Sequence, residues 1–554
     1  MSNHRPAPGC TPASDASFGS DPYADHIGAR LLEFFADTTP WARRLWDAGS
    51  VMMLREVYDA SEWVDRQVLS GGALAWLAQD AEKLVGRDRG VGERELRQQL
   101  QQALRSGVAR GSRHHRRLRE LTDMIEDGYL GRWRTALDSP NLPAPERLAR
   151  AVASHLLDRG YSMGFLHRWA LGVVGRGASL AQLFGEAEDL ADAPARAFEV
   201  LVPFVSVPKP GELAAGLGTW LDGRRAAEWL AQHGGAPQGV RQGGSFLFRV
   251  EAMDAYAAVA AAALIVDRMV ARTTYARSLG GRLEPLGSVW VGDQDLRVQL
   301  RPPQRGAYVL SLVIEKRLYA AEEQTALDDA LELAAPLNEG SPGPAISGGW
   351  AAIEALLVAP RDAEDGKGGR GAVAADRLAA LVAASWPRAE LTTLSYRHRP
   401  TEPDRLASEL RTETENRRRA RLVADALESG RRLALRDAGD LAAVSRMAAT
   451  LDAPRSTLRV VSGHVAATIR RLYRQRNIVL HGGTTGAIAR DVTLRTAAPL
   501  VGAGLDRIVH AQLADGVKPL EVAERALLGL ALVGGDDGAH VVDLLEARGT
   551  ALGR

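Results

Sequence analysis

The stretch TLRVVSGHVAATIRRLYRQRNIVLHGG, Thr457 to Gly483, decides how the C-terminal part of the chain is read. Val461, Val465, Thr468, Leu472, Arg476 and Val479 recur at the three- and four-residue steps that place side chains on one face of a helix. The pair Gly482 and Gly483 predicts where that helix ends. Arg476 lies on the apolar stripe, four residues from both Leu472 and Leu480. A charge in such a place needs a partner. The row Ile469, Tyr473, Asn477 and His481 lies about 100° round the helix. Asn477 therefore sits beside Arg476, and His481 falls on the last turn, where the helix dipole favours a protonated imidazole.

Spacing alone selects little. With 12 histidines and 64 arginines, chance supplies roughly one or two arginine–histidine pairs five positions apart, and the chain has four: Arg110/His115, Arg150/His155, Arg459/His464 and Arg476/His481. Only the last combines a polar residue directly after the arginine, an apolar run, and a helix stop directly after the histidine.

RNIVLH, Arg476 to His481, resembles the Arg-four-to-six-residues-His motif of HEPN-superfamily ribonucleases, in particular the ApeA-like branch. The resemblance implies an all-helical HEPN-type bundle over 316–554 and a metal-independent endoribonuclease that works as a homodimer or higher homo-oligomer. It implies no cofactor. GGWAAIEALL, which carries Trp350 and Glu354, is similar to the early core helix of such domains with its acidic position. Glu354 lies four residues from Trp350 on the apolar side, so a bidentate pairing of its carboxylate with Arg476 is expected.

RNA cleavage without a metal needs a base for the 2′-hydroxyl, an acid for the 5′-oxygen and positive charge for the pentacovalent phosphate. On this reading His481 transfers the proton, Arg476 holds the scissile phosphate, Asn477 orients phosphate or imidazole, and Tyr473 and Glu354 support them. One histidine per chain gives one proton-transfer group, so a site shared across a twofold axis would supply two. Residues five apart point about 140° from each other on an ideal helix. Arg476 and His481 then meet only if the last turn loosens, or each serves the partner's site.

The formal net charge is +1, so a nucleic-acid surface has to be a local patch. Candidate phosphate-contacting arginines are Arg417, Arg418 and Arg419 in NRRRAR, and Arg470, Arg471 and Arg474 beside the motif. A solvated helix face is the plainer explanation of NRRRAR and of the basic run Arg110 to Glu120. Five lysines against 64 arginines point to coding bias as much as to RNA. Cys10 is the single cysteine, which excludes an internal disulfide framework and a cysteine-based zinc site and fits a reducing cytoplasm. No metal is expected. The N-terminal MSNHRPAPGC has no apolar core of a secretory signal, and the run Ala255 to Val266 is too short for a bilayer.

The chain is expected to be mainly α with an α+β middle module. Residues 1–24 are rich in Pro, Gly, Ser and Asp and read as disordered. Residues 25–195 carry helical patterns, including Leu31, Leu32 and Phe35 and later Leu156, Phe165 and Trp169. Residues 196–315 hold the strand-like runs FEVLVPFVSV, FLFRV, SVWVG and LRVQL between helices at 213–233 and up to about 276, an order with a ferredoxin-like flavour. From 316 on the patterns are helical, with single helices expected over 317–337 and 402–429. Read together, the chain is expected to be a defence or toxin ribonuclease restrained by its N-terminal regions. The alternatives are a catalytically silent HEPN scaffold that binds RNA or nucleotide, and a helical interaction protein in which RNIVLH is accidental.

Overall fold

A computed structural model describes residues 21–208, 219–233, 243–276, 282–292, 296–301, 304–320, 324–362 and 369–546. The first helices start at strong caps: Asp21, Ser70, Ser112, Ser162 and Ser179 each accept a backbone N–H that the helix itself cannot satisfy. They are α1 (Pro22–Phe35), α2 (Ser50–Asp65), α3 (Gly71–Arg87), α4 (Arg94–Arg105), α5 (Arg113–Glu126), α6 (Tyr129–Thr135), α7 (Pro145–Asp158), α8 (Met163–Gly175) and α9 (Leu180–Asp192). Leu54, Leu77, Leu118, Trp133, Leu156 and Phe184 belong to one core beneath them. Of the expected disordered start, 1–20 lie outside the described residues, while Asp21 to Ala24 already cap and open α1.

The middle of the chain forms an antiparallel sheet of β1 (Arg196–Ser206), β2 (Trp220–Leu221), β3 (Gly244–Ala252), β4 (Glu284–Pro285), β5 (Ser288–Val291) and β6 (Leu296–Gln299). The order is β2-β3-β1-β5-β6, with β4 also pairing β1. Phe198, Val200 and Val202 of β1 share one core with Ala258, Ala262 and Val266 of α11 (Ala255–Tyr275), which Asp254 caps. The other helix of this module, α10 (Gly223–Gln232), starts at Asp222, whose carboxylate accepts the Arg225 N–H. Of the helix expected at 213–233, Trp220 and Leu221 are instead strand β2 and the helix begins at Gly223, while 213–218 lie outside the described residues. The expected hairpin turn at 293–295 lies outside them too.

The remaining helices are α12 (Ser311–Ile314), α13 (Ala326–Glu339), α14 (Pro342–Leu357), α15 (Gly369–Arg397), α16 (Arg405–Thr412), α17 (Asn416–Glu428), α18 (Ala438–Asp452), α19 (Pro454–His481), α20 (Arg490–Asp515) and α21 (Pro519–Leu532). The molecule is mainly α with an α+β middle. Two helices differ from expectation. Thr325 and Asp328 form a reciprocal cap, so α13 begins at Ala326 rather than at 317. Asp404 caps α16, and the chain breaks at Glu413 before α17, which splits the helix expected over 402–429.

The two helical regions interlock across α19. Ala42 and Trp46 from the connection after α1 are part of the C-terminal core, together with Val465, Ile469 and Leu472 of α19. Ile478, near the end of α19, is part of the N-terminal core. Thr468 Oγ1 donates to the Trp46 carbonyl at 2.8 Å. Buried charges join the regions as well: Arg43 pairs with Glu390 at 3.0 Å and Asp440 at 2.8 Å, and Arg446 pairs with Glu146 at 3.6 Å. Among the described residues no helix is long and apolar enough to cross a membrane.

Candidate functional site

The predicted stripe of α19 is buried at Val461, Val465, Thr468 and Leu472, whereas Val479 further on is half-buried and Leu480 is exposed. A second face is buried too, with Arg471, Arg474, Gln475 and Ile478 all shielded, because the N-terminal helices cover the side that one stripe could not foretell. The Glu56 carboxylate on α2 accepts from Arg471 Nε at 2.8 Å and from Arg474 Nε at 3.0 Å and Nη2 at 2.7 Å. Burial on its own would raise the Glu56 pKa; the Arg474 and Arg471 guanidiniums outweigh it and hold the carboxyl below its ordinary value.

The last turn of α19 is different. Arg476 and Asn477 are half-buried and His481 is exposed. Arg476 Nη1 donates to Asn477 Oδ1 at 3.0 Å and lies 3.4 Å from His481 Nε2. The two side chains five apart therefore meet within one chain. The last turn is wider than α, since the Gly482 N–H bonds back to the Asn477 carbonyl at 3.4 Å, and Gly483 follows with φ +65°. Gly482 also packs against Trp63 of α2, where a Cβ would come within 2.9 Å of the ring.

Tyr473, Arg476, Asn477 and His481 line one side of a cleft of about 500 Å³. The other side belongs to the N-terminal region: Val64 near the end of α2, Gln67 to Ser70 in the turn after it, and Gly71 and Ala73 at the start of α3. Gly71 and Ala73 put the first turn of α3, the positive end of its dipole, on this wall, which complements an anion as Arg476 does. Cleft, guanidinium and imidazole together can bind a phosphodiester and move a proton at it. Among the described residues no cluster of three or more His, Cys, Asp or Glu could hold a metal ion.

The other predicted residues are placed as follows. Glu354 does not pair with Arg476: its Oε2 accepts from Trp350 Nε1 at 3.1 Å. Four residues apart on α14, the two side chains satisfy each other, and Trp350 lies 4.7 Å from the Tyr473 ring. Glu354 thus reaches the cleft only through two aromatic rings. Arg471 and Arg474 are turned inward to Glu56, away from any strand of nucleic acid outside. Arg419 is buried, bonding to the Ser395 and Glu413 carbonyls, and Arg417 pairs with Asp543 at 2.6 Å. Arg418 is exposed beside Glu415 at 3.0 Å, and Arg470 is held between Asp376 at 2.6 Å and the face of Trp76. Arg417 and Arg419 are therefore held within the C-terminal bundle, and no arginine of NRRRAR lines the cleft.

Sequence reasoning missed the α2–α3 wall and Glu56. The wall carries no signal in its residue types. Glu56 did: it sits among Met52, Met53, Val57 and Ala60, the same charge-on-a-stripe pattern that singled out Arg476. Compared with protein-family models, with curated proteins and with solved structures, the chain matches none of them.

Proposed function

We propose that the chain is a metal-independent endoribonuclease of the HEPN type, cutting RNA at the cleft of Arg476, Asn477 and His481. The observation that carries this reading is the meeting of a guanidinium and an imidazole, 3.4 Å apart, at the rim of an open cleft. In the proposed step the His481 imidazole takes the proton of the ribose 2′-hydroxyl. The resulting oxygen attacks the adjacent phosphorus, the P–O5′ bond breaks, and an acid protonates the departing 5′-oxygen. Arg476 stabilises the charge of the pentacovalent phosphate, steadied by its bond to Asn477. The products are a 2′,3′-cyclic phosphate and a 5′-hydroxyl. The acid is a second imidazole, supplied by a second copy of the chain in a homodimer; Leu480, exposed beside His481, offers apolar surface for that contact. Such an activity suits a cytoplasmic defence or toxin effector, with the N-terminal helices as its regulator.

The test is expression of the intact chain and its His481→Ala form, with sequencing of RNA ends and EDTA present or absent. Loss of the proton-transfer group should lower cleavage by about 10²–10⁴-fold, and EDTA should leave the wild-type rate unchanged. Equal cleavage by the two forms rules the proposal out. The single imidazole that one chain contributes to the cleft favours one second reading, a silent scaffold that binds RNA or nucleotide there. It predicts binding with no cleavage by either form.

A further inference from the structure

The cleft wall facing Arg476 and His481 is built against backbone preference. Gln67 ends α2 with φ +60°; its N–H bonds to the Val64 carbonyl at 3.0 Å and that of Val68 to the Trp63 carbonyl at 2.8 Å. In this type of helix ending the left-handed position normally belongs to glycine, because a Cβ there crowds the following carbonyl. The chain does use glycine after other helices, at Gly177, Gly430 and Gly516. Among the described residues only Gln67 and Lys316 adopt positive φ without being glycine, and of these only Gln67 lines the cleft.

The Gln67 side chain is exposed and bonds to no other residue among the described ones. The backbone that carries it is nevertheless fixed. Leu69 is buried two residues on, the Leu69 N–H also bonds to the Trp63 carbonyl, and Ser70 caps α3. A carboxamide offers a donor and an acceptor side by side, which matches the edge of a nucleobase, and unpaired RNA is read in that way. A cleft of about 500 Å³ lies within the range of small-ligand sites.

We infer that Gln67 is the specificity-determining residue of the cleft, contacting the base edge of the nucleotide whose phosphate Arg476 holds. For its substrate class, RNA, the inference rests on the reading above; it does not require cleavage. The phosphate is gripped by the C-terminal region and the base is read by the N-terminal region.

The experiment measures binding of uncleavable 2′-O-methyl hexamers of A, C, G and U to the full chain, its Gln67→Gly form and its Gln67→Ala form. The wild type should favour one base by about ten-fold. Both variants should compress that preference to about two-fold or less, while Gln67→Gly, which relaxes the backbone, melts no lower than wild type. A preference unchanged in either variant overturns the inference, and so does failure of the wild type to bind any of the four. Compression in Gln67→Gly alone would assign the effect to the shape of the turn and overturn the role of the carboxamide. Wild-type RNA cleavage is scored separately: base preference without cyclic-phosphate ends retires the nuclease and leaves Gln67 as the reader.

Discussion

The middle and the end of α19 use arginine in opposite ways. Arg471 and Arg474 are enclosed and share the Glu56 carboxylate, whereas Arg476, two residues on, faces a cleft with an amide oxygen and an imidazole for company. A guanidinium surrounded by carboxylate has spent its charge inside the protein. One that meets only neutral or weakly basic groups keeps it for an anion from outside. In the sequence RRLYRQR only Arg476 stands on the apolar stripe, yet Arg471 and Arg474 are the ones enclosed. What separates them is the arrival of α2, more than 400 positions away in the chain, over one part of the helix and not the other.

That contrast can be broken by substitution. The largest effect is expected for Glu56→Ala, which strands two buried guanidiniums and should cost about 3–5 kcal/mol of stability in chemical denaturation. A loss below about 1 kcal/mol would mean that water reaches the pair, and the distinction between inner and outer arginines would fail. Arg476→Ala should do the reverse. It should leave the denaturation midpoint within the ordinary surface range of about 0.5 kcal/mol and lower the proposed cleavage by about 10²–10³-fold. A strongly destabilised but equally active variant would place Arg476 with its inner neighbours. The smallest effect is expected for Glu354→Gln. An amide oxygen can still accept from Trp350, so stability should change by less than about 1 kcal/mol and cleavage hardly at all. A large loss of activity there would revive a carboxylate–guanidinium link that the geometry does not contain.

Much of the fold was legible because its signals are local. Three-and-four spacing and the β-rich runs of the middle module gave the fold class and some of the later helices, while helices α1 to α9 were legible only as a helical pattern, since the serine and aspartate caps that separate them were not read. Boundaries went astray where a cap outweighed a continuous pattern, as Thr325 does before α13. Within the site, Arg476, Asn477 and His481 were found from a charge on an apolar stripe and a helix stop, and the structure brings all three together. Their surroundings were not found. Glu354 reads as the nearest buried acid, but Trp350 on its own helix takes it, and the acid that does meet arginines comes from Glu56. Pairings of that range leave no periodic trace, and neither does a left-handed Gln67.

The order of synthesis gives the interlock through Trp46, Thr468 and Ile478 a temporal meaning. One bank of the cleft leaves the ribosome after about seventy residues, and the other only after His481. At about 5–20 residues per second, tens of seconds separate the two. Throughout that interval the nascent polypeptide carries half a binding surface. The proposed cleavage therefore has no complete cleft to act in until His481 has been added, late in synthesis.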